Sequence, residues 1–133
     1  MNRLVNHFIK YQFPAFLWAI LIFVASSIPA TKFPDLKIFT YDKVLHISIF
    51  FIFGLLVYRA FERRSKSPSS RLWRIIIAAL IVIFYGILDE VHQGTVPGRT
   101  FDVWDMTADA VGGILSSLIT YWHLKYKRLP VIS

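Results

Sequence analysis

The chain has 133 residues, of which 56% are hydrophobic, 17% aromatic and only 17% charged, with a mean hydropathy of +0.54. A globular domain carries about 45–50% apolar and about 25% charged residues, so the composition argues against a soluble domain and for an integral membrane bundle. Zero cysteines exclude a disulfide framework, a thiolate metal site and a cysteine nucleophile. A net charge of +7 would suggest nucleic acid in a soluble chain. Here the apolar blocks leave no basic surface helix to track phosphates, and no nucleic-acid partner is expected.

Four apolar blocks follow one another. The first runs from Phe13 to Ile28, with Pro14 acceptable in a first helical turn and Ser26, Ser27 and Pro29 ending it. Arg3 and Lys10 ahead of it and Ala25-Ser26-Ser27 at its end also fit a cleavable signal peptide, although His7, Tyr11 and Gln12 make a long leading region. The second block is Val44 to Phe61, the third Leu72 to Leu88 and the fourth Met106 to Leu124. Each is slightly shorter than the roughly 20 residues that cross a bilayer, so flanking rings such as Tyr41, Trp73, Trp104 and Trp122 must complete the crossing. The expected fold is an all-α integral membrane protein, one domain over residues 1–133. It is a bundle of four transmembrane helices with a short polar outer loop after span three.

Charge fixes the expected orientation. The N-terminus, the connection containing Arg63, Arg64 and Lys66, and the C-terminal tail with Lys125, Lys127 and Arg128 carry a net +10, with Glu62 their only acid. The opposite side holds Lys32, Lys37, Lys43 and Arg99 against Asp35 and six further acids, a net −3. By the positive-inside rule both termini are expected to be cytoplasmic in a multi-pass membrane protein.

The polar residues near the span ends need explaining. Asp42 and His46 share a helix face one turn apart. Asp42 suits a helix cap, and Lys43 suits an ammonium snorkelling to the interface. Span three ends in Tyr85-Gly86-Ile87-Leu88-Asp89-Glu90-Val91-His92-Gln93, where Tyr85, Asp89 and Gln93 form one stripe. Two adjacent carboxylates at a helix C-terminus oppose the macrodipole and call for a cation, whether Lys43, Arg99, a metal ion or a ligand amine. Pro97-Gly98 then makes a tight turn that projects Arg99, whose guanidinium can fork onto Asp89, Glu90 or a lipid phosphate. In the fourth segment Asp102, Asp105 and Asp109 lie on one helix face. The first two suit the first turn, whereas Asp109 lies about 10 Å along the helix and must face the bundle interior with a partner or a proton. Ala108, Gly112 and Ser116 recur every fourth residue, a packing face against another helix that a dimer could also use.

Taken together, Ser27…Pro29, Asp42-Lys43-x-x-His46, Gly54-Leu55, Tyr85-x-x-x-Asp89-Glu90-x-x-Gln93, Pro97-Gly98-Arg99, Asp102-x-x-Asp105 and Gly112 resemble the VanZ-like family of small bacterial membrane proteins. The resemblance covers about Ser27 to Gly112. It implies a multi-span membrane protein, and the name-giving member is associated with resistance to the glycopeptide teicoplanin. Carried over by position, the family's polar motif falls on Asp42, Lys43, His46, Asp89, Glu90, Gln93, Arg99 and Asp105. The chain departs from the pattern at Asp109, where relatives more often have Asn, and at Phe50, where Tyr is common.

The expected function is an outward-facing polar site that binds or modifies an envelope lipid or lipid-linked cell-wall precursor. The alternative is an intramembrane hydrolase or transferase acting on a phospholipid or polyprenyl phosphate. In the enzyme reading His46, Asp89 and Glu90 are the catalytic candidates, with Asp89 and Glu90 sharing a proton or holding Mg2+. Asp42, Lys43, Gln93, Arg99, Asp105 and Asp109 are the binding candidates. Neither a serine-nucleophile motif nor a His-x-x-x-His or HExxH pattern occurs, so cofactor and metal stay open. A third reading, an ion-coupled carrier, would use Asp109 and His46 as relay groups.

Overall fold

The computed structural model describes residues 3–32, 39–61 and 67–127. Asp35, Lys37, Glu62, the basic run at 63–66 and Arg128, all used in the charge argument, lie outside the described residues. Within them the regular structure is entirely helical: α1 (Arg3–His7), α2 (Phe13–Ser26), α3 (Phe39–Ala60), α4 (Pro68–Gln93) and α5 (Val103–Tyr126). A π-helical turn, Phe8–Gln12, joins α1 to α2. Its cause is local: Pro14 lacks the N–H that would bond the carbonyl four residues back, and its ring presses on that carbonyl. Widening the preceding turn, with the Phe13 N–H donating to Phe8 O, carries the helix past the proline.

Three helical stretches among the described residues are long and apolar enough to cross a membrane: Val5–Ser26, Tyr41–Ala60 and Ser69–Gln93. The 24 residues of α5 would extend about 36 Å. Asp105, Asp109, two glycines, Ser116, Ser117 and Thr120 dilute its apolar character, so it does not join the other three.

The helices outrun the apolar blocks because backbone hydrogen bonding continues where hydropathy stops, and end chemistry sets the boundaries. Pro68 opens α4 and Gly94 follows its last residue, so Asp89 to Gln93 remain helical. α3 already starts at Phe39. Asp42 therefore sits in its first turn and is not its cap. Asp102 does cap α5, accepting from the Trp104 N–H at 2.8 Å.

The most extensive packing is α3 on α5, followed by α4 on α5 and α3 on α4, with α2 laid against α3 and α4. Phe50, Phe53, Val57, Ala78 and Val82 form the buried apolar centre, joined by Ala15 and Ile22 of α2. Outward faces are apolar as well: Phe16, Ile20, Leu80, Phe84, Leu118 and Ile119 are exposed, as in a protein whose solvent is acyl chain. The small face of α5 lets helices approach closely. A Cβ on Gly112 would lie 2.5 Å from Ile47 O and 2.9 Å from Phe51 N, and one on Gly113 would lie 2.8 Å from Val82 Cγ1. That face is filled by α3 and α4 of the same chain, so it is not the surface for a dimer.

Candidate functional site

One end of the bundle gathers the acids of α3, α4 and the start of α5, together with Lys43 and His46. Lys43, whose side chain is only 13% exposed, donates to Asp42 Oδ2 at 3.1 Å, to Asp102 Oδ2 at 3.0 Å and to Asp105 Oδ1. The ammonium thus joins the first turn of α3 to the first turn of α5. It neither snorkels away nor answers the Asp89–Glu90 pair, because α5 delivers two nearer carboxylates. The Lys43 ammonium hydrogen-bonded to Asp102 holds that carboxyl below the usual aspartate range.

One turn deeper, His46 Nδ1 lies 2.8 Å from Asp109 Oδ1, and its Nε2 lies 3.6 Å from Asp105 Oδ1. Asp109 is fully buried. It faces the interior with a partner, as the cost of an ionisable group in an apolar layer requires. Gly86 on α4 makes room, since a Cβ there would fall 2.9 Å from Asp109 Cβ.

Glu90, also fully buried, accepts the Asp102 N–H on Oε2 at 3.1 Å. Its Oε1 and Asp109 Oδ2 are buried with no hydrogen-bond partner among the described residues. Such atoms are rare in folded proteins and ask for an explanation.

Asp89 and Glu90, neighbours in sequence, have separate surroundings. Asp89 accepts from Gln93 Nε2 at 2.8 Å, and Gln93 Oε1 accepts from Arg99 Nη1 at 2.8 Å. Arg99 Nε also donates to Ile28 O at 3.0 Å and Nη2 to Ala25 O at 3.3 Å. The Gln93 amide therefore bridges Arg99 to Asp89. The projecting turn takes the form that Pro-Gly dictates: the Arg99 N–H donates to Val96 O at 3.1 Å, and Gly98 has φ +78°. Tyr85, at the head of the same stripe, turns away and donates to Ala19 O at 2.6 Å.

The candidates thus divide. His46, Glu90, Asp105 and Asp109 converge, Lys43 joins Asp105 to the more exposed Asp42 and Asp102, and Asp89, Gln93 and Arg99 form a second network tied to the end of α2. Two overlapping trios could hold a metal ion: Asp42, His46 and Asp105, and His46, Glu90 and Asp109. Sequence reasoning assigned no partner to His92, which shares a 2.9 Å hydrogen bond with Ser27 and stacks on Phe23 at 4.6 Å. Trp18 Nε1 donates to Ile49 O at 3.1 Å. No local pattern signals either contact, because the partners lie on different helices.

The family profile described as VanZ/LLP1 matches residues 8–124. An uncharacterized protein of Schizosaccharomyces pombe is 30% identical over 99 residues, which is 74% of this chain and 57% of the yeast protein. The chain thus spans little more than half the length of that relative. No solved structure matches the chain. The profile match takes in the apolar helices and every member of the polar cluster, and the chain belongs to the VanZ/LLP1 family.

Proposed function

We propose that this protein crosses the bacterial cytoplasmic membrane four times with both termini inside, and binds or modifies an envelope lipid or cell-wall component at its outer, acid-rich end. The observation that carries this reading is the convergence of α3, α4 and α5 on one polar cluster at the end where the sequence also places its acids. Counting α5 as a span is supported by its outward Val111, Ile114, Leu115, Leu118 and Ile119, all exposed. Its polar residues are turned inward: Asp109, Ser116 and Thr120 are buried.

The geometry bears on the ligand. Lys43 and Arg99 already engage acceptors of the chain itself, and six carboxyls surround them and His46. Such a site suits the cationic part of a head group better than a bare phosphate. A relative in a yeast also favours a lipid over a bacterial wall polymer. The hydrolase or transferase reading has its own support in the unpartnered oxygens of Glu90 and Asp109 beside His46, groups placed to exchange protons.

The test is teicoplanin and vancomycin susceptibility of a Gram-positive host expressing the protein, compared with Asp105→Asn at matched membrane abundance, together with lipid profiling of both strains. The reading expects a teicoplanin-selective change or an altered lipid pool, lost in the variant. Identical susceptibility and identical lipids with well-inserted protein would overturn it.

A further inference from the structure

We propose that His46, Glu90 and Asp109 form a binding site for one divalent transition cation of the Mn2+ or Zn2+ class, buried between α3, α4 and α5. This goes beyond the lipid reading and does not depend on which lipid, if any, is bound.

Three observations carry it. Each of the three side chains offers a ligand atom, and these atoms lie within 4.8 Å of one another. Opposed ligands on a cation at about 2.0–2.2 Å stand up to about 4.4 Å apart, so only a small contraction would close the trio on an ion. Glu90 and Asp109 are both 0% exposed, and each keeps one oxygen, Oε1 and Oδ2, without a partner. Their other oxygens are already committed, Glu90 Oε2 to the Asp102 N–H and Asp109 Oδ1 to His46 Nδ1. Glu90 is therefore oriented by an outer contact, the Asp102 N–H, the arrangement by which second partners fix metal ligands, whereas an ion bound at His46 Nδ1 would replace the present His46–Asp109 hydrogen bond.

The donor set selects the class of ion. An imidazole with two carboxylates suits Mn2+ or Zn2+, whereas Mg2+ is normally held by oxygen and keeps several waters. Three protein ligands would leave coordination positions open, as in sites that polarise a bound water or an oxygen ligand. A route from the surface is present in the acids that shade inward from Asp42, whose side chain is 47% exposed, through Asp102 at 35% to Asp105 at 13%.

The alternative occupant is a pair of protons on the two free carboxyl oxygens, and the experiment separates the two. Full-length protein purified in detergent, stripped with chelator and dialysed against Mn2+ or Zn2+ in turn, is assayed for bound metal per chain, with the nitrogen coupling of bound Mn2+ read by pulsed EPR. The expected result is one ion per chain with a single imidazole nitrogen coupled to Mn2+. Glu90→Gln and Asp109→Asn should lower affinity at least tenfold, while Ser48→Ala, a residue that bonds only within its own helix, binds as wild type. If the carboxamide variants misfold, the wild-type measurement alone decides. Wild-type protein that retains no metal, or Mn2+ bound without a nitrogen coupling, overturns the proposal. So does undiminished binding by folded Glu90→Gln and Asp109→Asn.

Discussion

Replacing Gly112 by alanine tests whether the close approach of α3 and α5 is what builds the polar cluster. The added Cβ would meet Ile47 O at 2.5 Å and Phe51 N at 2.9 Å, both backbone atoms that cannot rotate away. Carbon and carbonyl oxygen normally stay about 3.3 Å apart or more, so the helices must separate locally by about 0.8 Å. Overpacking of this kind costs about 1–3 kcal/mol, and the gain in helix propensity returns up to about 1 kcal/mol. Separation also stretches the His46–Asp109 contact, now 2.8 Å and less than one turn away. A hydrogen bond to a charged partner is worth about 1.5–3 kcal/mol. The expected net loss is about 1.5–6 kcal/mol, according to how far the contact opens, measured by far-UV circular dichroism during reversible unfolding in mixed micelles. Ser117→Ala on the same helix is the comparison: Ser117 Oγ donates to Gly113 O of its own helix, so its loss should stay within about 0.5 kcal/mol. A Gly112→Ala protein as stable as Ser117→Ala would refute the reasoning.

Lys43→Met should leave Asp42, Asp102 and Asp105 without their shared cation. The loss should fall between the roughly 1 kcal/mol of an exposed pair and the about 3–5 kcal/mol of a broken buried one. Adding Asp105→Asn should recover part of it in the same unfolding assay, and no recovery would contradict the assigned pairing. Asp102 has a folded pKa held below its unfolded value by Lys43. Its charge therefore stabilises the fold above the ordinary aspartate pKa of about 3.9, and that stabilisation disappears as pH falls through the lower folded value. Asparagine also caps helices, so the stability gap between wild type and Asp102→Asn should be open at neutral pH and shrink in acid; a gap that ignores pH would contradict the ion pair.

Much of this was legible in the sequence, for identifiable reasons. Helical spacing alone puts Asp42 and His46 on one face and brings Asp102, Asp105 and Asp109 into line. The Pro97-Gly98 pair dictates its turn whatever surrounds it. The penalty on a carboxylate in an apolar segment turns Asp109 inward. What could not be read depends on which helices become neighbours. Lys43 had several acids within a plausible reach, and only the pairing of α3 with α5 selects Asp102 and Asp105 over Asp89 and Glu90. The separation of Asp89 from Glu90 follows from adjacent helical positions pointing about 100° apart, but its outcome depends on Gln93 and Arg99 arriving on one side and Asp102 on the other. The start of α3 could not be read from hydropathy, because the helix begins at Phe39, ahead of Asp42 and of the apolar block.

The contacts that hold α2 have a consequence for assembly. Its ties run from Trp18 to Ile49, from Tyr85 to Ala19, and from Arg99 to Ala25 and Ile28, so each waits for a partner synthesised later. The last of them comes from the loop between α4 and α5. Until that loop emerges, Ile28 O must be served by water or head groups, whereas Ala25 O already accepts the Ile28 N–H of its own turn. The end of α2 is thus fastened only after α4 has been made, with Arg99 as its latch.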